Sequence, residues 1–284
     1  MAAFQRSKAL SETDSCFGLG CTASLVTDRA KRGQTRAHWA IQTATATHDF
    51  YQELDPLERR TEQEQLLRER LIESLGTVLL NGPWTGSAIN ICVAEPVWHE
   101  LLKDRPYRWC RGNHDGKLIL PGSFNPVHGG HYEMMQVAQD ISGKTGAFEL
   151  TLKNADKPDL DYLSVRERLD AIQGWDVWLT NQANFSAKAE LFPGATFVLG
   201  TDTLVRIGDP RFYGDSTLTR DQAIQRLHEL GVDFLVLGRL EGQRFISFDD
   251  LSLPPSLHAL CQGVPESVYR NDLTSTQLRQ QEAQ

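Results

Sequence analysis

Leu120-Pro121-Gly122-Ser123-Phe124-Asn125-Pro126-Val127-His128-Gly129-Gly130-His131 is the stretch that decides how this chain is read. It follows a short apolar run, Lys117 to Leu120, that reads as a strand, and it opens a segment from Gly130 to Ile141 that reads as a helix. Gly122 and the Gly129-Gly130 pair permit backbone conformations and close approaches that side chains would block. A helix beginning at Gly130 presents unpaired N–H groups and a positive dipole end, a place where phosphate is readily held. His128 and His131, three residues apart, aim two imidazoles from that turn at one spot. Phosphoryl and nucleotidyl transfer call for charge stabilisation on a crowded phosphorus rather than for a protein nucleophile, and two imidazole donors beside a helix N-terminus supply it. The plainer reading is a Gly-rich turn with two incidental histidines, or a stray metal pair.

Outward from this turn, strands and helices alternate. Phe148 to Leu152 reads as a strand, Ser164 to Ile172 as a helix and Ala195 to Leu199 as a strand. Thr219 to Leu230 is a helix, Phe234 to Leu237 a further strand, and a last helix starts at Ser275. Such alternation implies a parallel sheet covered on both faces, with ligands at the carboxyl ends of its strands. The tail motif Asp272-Leu273-Thr274-Ser275-Thr276-Gln277-Leu278-Arg279 puts three hydroxyls at a helix start and a guanidinium one turn later. Together they suit a leaving pyrophosphate, although three hydroxyls there could be a capping cluster and nothing more.

These residues resemble the HIGH-motif nucleotidylyltransferase superfamily. Its Gly-Ser-Phe-Asp/Asn-Pro loop and His-x-Gly-His are matched by Gly122 to His131. Its Ser-Ser-Thr-x-x-Arg is matched from Thr274 to Arg279, with Thr274 for the first Ser. Gly200-Thr201-Asp202 matches the family's Gly-x-Asp, whose Asp commonly meets a ribose, and Arg239 an Arg near the triphosphate. The resemblance spans about 160 residues and implies a Rossmann-like α/β domain from residue 113 to 284. It assigns His128, His131, Thr276 and Arg279 to catalysis. Gly122, Ser123, Phe124, Asn125, Gly200, Asp202, Arg239, Thr274 and Ser275 go to the nucleotide, with Lys157 of Asn154-Ala155-Asp156-Lys157-Pro158 as a weaker substrate contact. The implied partners are ATP, with Mg²⁺, and a small phosphorylated substrate. Within the superfamily, Gly-Ser-Phe-Asn-Pro is similar to the nicotinamide-nucleotide adenylyltransferase branch. That makes AMP transfer to nicotinamide or nicotinate mononucleotide the expected reaction, in NAD biosynthesis. Cytidylyl transfer to a phosphorylated alcohol, and a nucleotide-binding module without catalysis, remain open. Of Arg166 and Arg168, one is expected to face the nucleotide and the other solvent. Trp175, Trp178, Phe212 and Tyr213 are candidate stacking rings or core.

Residues 1 to 112 read as a smaller domain. Arg36 to Thr47 is strand-like, and Arg60 to Leu80 is a helix whose apolar positions are Leu66, Leu67, Ile72, Leu75 and Leu79. Gly86 to Ala94 reads as a buried strand, Val97 to Lys103 as a short helix, and Lys103 to Lys117 as the joint. Gly18-Leu19-Gly20-Cys21-Thr22-Ala23-Ser24-Leu25, then Lys31-Arg32-Gly33 and a Thr-rich strand, resembles the later part of the CinA-type C-terminal domain. That domain serves in many relatives as a nicotinamide-nucleotide amidase. The family's nucleophile loop, Glu-Ser-Cys-Thr-Gly-Gly, has no counterpart; it would precede residue 1, so a partial domain without amidase activity is expected.

The whole is 284 residues with a formal net charge of −8, which argues against nucleic acid as the main partner. Cys16, Cys21, Cys92, Cys110 and Cys261 form no Cys-x-x-Cys pair, so neither a disulfide framework nor a zinc site is expected. With no apolar run of membrane-spanning length and no signal-like start, the sequence predicts a soluble, cytoplasmic protein.

Overall fold

The computed structural model describes residues 1–11, 15–29, 33–86, 89–103, 105–153 and 159–271. The chain divides into two compact units: Met1–His99 with Pro158–Arg166, and Glu100–Lys157 with Glu167–Gln284.

The first unit runs α1 (Ala2–Leu10), β1 (Phe17–Ser24), β2 (Arg36–Thr43), β3 (Ala46–Glu53), α2 (Arg60–Leu80), β4 (Ile89–Val93) and α3 (Pro96–Leu101). Its sheet is antiparallel throughout, in the order β1-β2-β3-β4. The single strand expected over 36–47 is instead a hairpin. No Gly, Asn or Pro marks its turn. The Thr43 hydroxyl makes it locally, accepting from the backbone N–H groups of Thr45 (3.2 Å) and Ala46 (3.0 Å). Helix α2 has the expected limits but not the expected stripe. Leu67, Leu71, Leu75 and Val78 pack on Trp39, Ile41 and Phe50, whereas Ile72 and Leu79 are exposed. Strand β4, expected to be buried, has β3 as its one neighbour in the sheet among the described residues and exposes Ile91 and Val93.

The second unit begins at Glu100, three residues before the stretch read as the joint. Strand β5 (Arg108–Arg111) is followed by β6 (Leu118–Pro121), α4 (Gly129–Ser142), β7 (Ala147–Thr151), α5 (Tyr162–Ala171), β8 (Val177–Thr180), α6 (Phe185–Leu191) and β9 (Thr196–Gly200). Then come α7 (Thr201–Gly208), α8 (Thr217–Glu229), β10 (Asp233–Leu237), β11 (Arg239–Glu241), β12 (Arg244–Ile246), α9 (Pro255–His258) and β13 (Cys261–Val264). Helix α5 contributes its first residues to the first unit and its last to the second. The stretch expected as a linker is ordered into β5 by the buried Asn181. Its Oδ1 accepts from Tyr107 N–H, and its Nδ2 donates to the carbonyls of Lys103 and Arg105.

Seven strands form one sheet in the order β13-β10-β9-β6-β7-β8-β5, parallel except for the edge strand β5. The central strands are buried along almost their full length, as a sheet covered on both faces requires. On one face Ile119, Ala147, Phe197, Phe234 and Val236 pack against Ala189, Phe192, Ile224 and Leu227 of the helical layer. From β6 the chain winds outward through β7 and β8, then returns to β9 on the other side of β6 and winds outward again. The order therefore reverses between β6 and β9, and in such sheets the crevice beyond the carboxyl ends of those two strands is where ligands bind. Among the described residues no helix is long and apolar enough to cross a membrane.

Candidate functional site

Both turns that leave this reversal carry residues singled out in the sequence. Strand β6 ends at Pro121 and passes through Gly122–Val127 to α4; β9 ends at Gly200 and passes directly into α7. The register Ile119↔Phe197 brings the two strand ends level.

The first turn is held tightly. Gly122 N–H donates to Glu149 O on β7, at 3.0 Å. Any Cβ on Gly122 would lie 2.5 Å from the Phe124 ring, so only glycine fits. Phe124 is 2% exposed and has φ +45, a left-handed conformation that is costly for an aromatic residue. Its ring meets His131 and Phe148 edge-on, with centroids 5.2 Å away in each case. Ser123 and Asn125 are exposed. Arg168 donates to the Ser123 carbonyl at 2.8 Å, whereas Arg166 donates to Val93 O in the first unit. Of the two arginines, Arg168 is thus the one on the loop.

His128 caps α4 and His131 is its third residue. The backbone N–H of His128 donates to His131 Nδ1 at 3.2 Å. An accepting Nδ1 leaves the proton of the neutral ring on Nε2, as a donor. The two rings lie 3.8 Å apart, tilted by 35°. Burial and then the neighbouring His128 push His131 down to about 4, and burial lowers His128 too. Both are therefore neutral at pH 7. Nδ1 of His128 is buried with no hydrogen-bond partner among the described residues, an unusual state for a buried nitrogen. Gly130 lies between that ring and Asn271; a Cβ there would come within 3.1 Å of His128 Nδ1 and 3.0 Å of Asn271 Oδ1. Asn271 Nδ2 donates to Glu133 at 2.6 Å, and Tyr269 Oη donates to Gly130 O at 3.3 Å. The segment 269–271 is therefore fastened to the first turn of α4.

At the second strand end, Asp202 lies over Gly200, whose Cβ would come 2.8 Å from Asp202 Oδ1. Asp202 pairs with Arg239 at 3.0 Å, both substantially exposed. An ion pair this open is worth under about 1 kcal/mol, so an incoming hydroxyl or phosphate can take either partner cheaply. Arg239 begins the β11–β12 hairpin, and Gly238 before it fits because Phe245 folds over it, 2.4 Å from where a Cβ would stand. Thr201 Oγ1, at the start of α7, is also buried without a partner among the described residues.

Lys157 and the tail residues Thr274, Ser275, Thr276 and Arg279 lie outside the described residues, as does the helix expected from Ser275. Of the candidate rings, Trp178 is core and donates to His114 Nδ1, and Trp175 stacks near Tyr132. Tyr213 is tied to Ile207 O, and Phe212 is exposed beneath the Arg206 guanidinium. No group of three potential metal ligands occurs among the described residues, and the five cysteines are free.

Sequence reasoning passed over Glu149 and Lys188. Both are buried and paired with each other, and Thr180 Oγ1 also donates to Glu149. A carboxylate in the apolar run Ala147–Thr151 was a visible signal; its partner, 39 residues on, was not. Compared with known protein families and with curated proteins, the chain finds no match.

Proposed function

We propose that the second unit is a Rossmann-like nucleotidylyltransferase that moves AMP from MgATP to nicotinamide or nicotinate mononucleotide, releasing pyrophosphate. The observation that carries this is the neutral His128–His131 pair at the head of α4, which follows β6, with Asp202 in the first turn of α7, which follows the neighbouring strand β9. The strand order, counted from β6, is the 3-2-1-4-5-6 of doubly wound dinucleotide-binding sheets, which supports the fold half of the reading.

In this reading a phosphate oxygen of the mononucleotide attacks the α-phosphorus of ATP in line. One P–O bond forms, the bond from the α-phosphorus to the bridging oxygen breaks, and pyrophosphate carries away the electron pair. His131 donates its Nε2 proton as a hydrogen bond to the charge that builds on the α-phosphoryl oxygens, with His128 beside it. Neutral imidazoles suit this role, since they donate without holding product phosphates as firmly as a cation would. Asp202 accepts from a ribose hydroxyl and Arg239 turns to phosphate. Thr276 and Arg279 of the tail hold the leaving group. Mg²⁺ arrives on the triphosphate and neutralises charge. Transfer of the purified chain's chemistry to CTP and phosphocholine, in place of ATP and a mononucleotide, would move the assignment to another branch; pyrophosphate release with each pair tests it.

A further inference from the structure

The peptide between Ser123 and Phe124 is oriented from outside its own loop. Gly122, before it, is bonded to β7 through Glu149 O. Phe124, after it, is locked by φ +45 and by its buried ring. The carbonyl between them accepts from Nη1 of Arg168, one turn from the end of α5, at 2.8 Å. In a planar trans peptide the carbonyl oxygen and the following N–H point in opposite directions. With Ser123 O turned toward Arg168, Phe124 N–H points away from that guanidinium, and it donates to no described residue. An exposed loop could rotate this peptide at little cost; a charge-assisted bond from a guanidinium resists the rotation.

We propose that Arg168 is a positioning residue, which holds the Ser123–Phe124 peptide so that Phe124 N–H is presented as a phosphate donor at the head of α4. The proposal rests on the nucleotidyl-transfer reading and names a residue that sets the loop rather than touching the reacting atoms. Arg suits the task better than Lys because its planar fork fixes the direction of the bond, where an ammonium would not.

The test uses the full chain, its Arg168→Ala and Arg168→Lys variants, and two probes, MgATP and inorganic pyrophosphate. In the wild type, pyrophosphate shifts the ¹⁵N–¹H resonance of Phe124. Arg168→Ala loses that shift and weakens both probes about tenfold or more, the worth of one charge-assisted hydrogen bond; Arg168→Lys falls between. Low-millimolar guanidinium ion restores binding to Arg168→Ala, and sodium at the same concentration does not. A residue that merely tethers α5 would change thermal stability without this rescue and without moving the Phe124 resonance. Wild-type affinity in Arg168→Ala, or a Phe124 amide that ignores pyrophosphate while the chain binds it, overturns the proposal alone. A wild-type chain that binds neither probe overturns the nucleotidyl-transfer reading and this proposal with it.

Discussion

His131 accepts a hydrogen bond on Nδ1 from the backbone N–H of His128, 3.2 Å away. The residue that caps the helix thereby sets the tautomer of its neighbour, and Nε2 is the nitrogen left to donate. His131→Ala is expected to lower turnover by about two orders of magnitude or more, the usual cost of losing a transition-state donor. Nucleotide affinity should change much less, and His128→Ala should behave alike. Steady-state rates checked against direct nucleotide binding separate the two effects; near-wild-type turnover in either variant makes that histidine structural.

The low proton affinity of His131 has a consequence for stability. Its folded value, about 4, lies below the ordinary 6.5, so between these pH values the unfolded chain binds the proton first. Its contribution is complete above about pH 6.5 and is lost as pH falls toward 4, up to about 3 kcal/mol in all. His131→Asn should therefore flatten the acid limb of denaturant midpoints between pH 6.5 and 4. Parallel limbs for wild type and variant would mean that His131 is not shielded from protons.

Much of this geometry could be read in the residues, and what could not has physical causes. The turn from Gly122 to His131 was legible because glycine, histidine and a following helical period are local signals. Four of the parallel strands were legible as apolar runs. Strand β13, Cys261-Gln262-Gly263-Val264, was not, since a polar residue and a glycine interrupt the run that its place beside β10 would otherwise demand. Strand β8 was hidden because Trp178 reads equally as a ring for stacking or for core. Which of Arg166 and Arg168 meets the loop is decided by the phase of α5, and two guanidinium groups two residues apart give no hint of it. The Arg239–Asp202 pair joins residues 37 apart in sequence across two strand ends, beyond any local pattern.

Asp202→Asn should cost little stability, within about 0.5 kcal/mol, because the ion pair it breaks is open to solvent. Affinity for ATP should fall, whereas affinity for inorganic pyrophosphate, which has no ribose, should not. Calorimetric titration with the two ligands checks this; equal losses would take Asp202 away from the ribose.

The first unit should release no ammonia from nicotinamide mononucleotide. Ser24 is the last residue of β1, paired with Arg36 in the sheet, and its surroundings do not resemble the nucleophile loop of the amidases. Ammonia release abolished by Ser24→Ala would overturn this.

The most direct measurement is dinucleotide formation by the purified chain from MgATP and nicotinamide or nicotinate mononucleotide, followed together with pyrophosphate, with phosphopantetheine and phosphocholine offered in parallel. The expected result is one dinucleotide and one pyrophosphate per turnover from a mononucleotide, lost in His131→Ala. Turnover of phosphocholine with CTP and none of either mononucleotide with ATP would contradict the assigned substrate, and no pyrophosphate from any pair would contradict the enzyme.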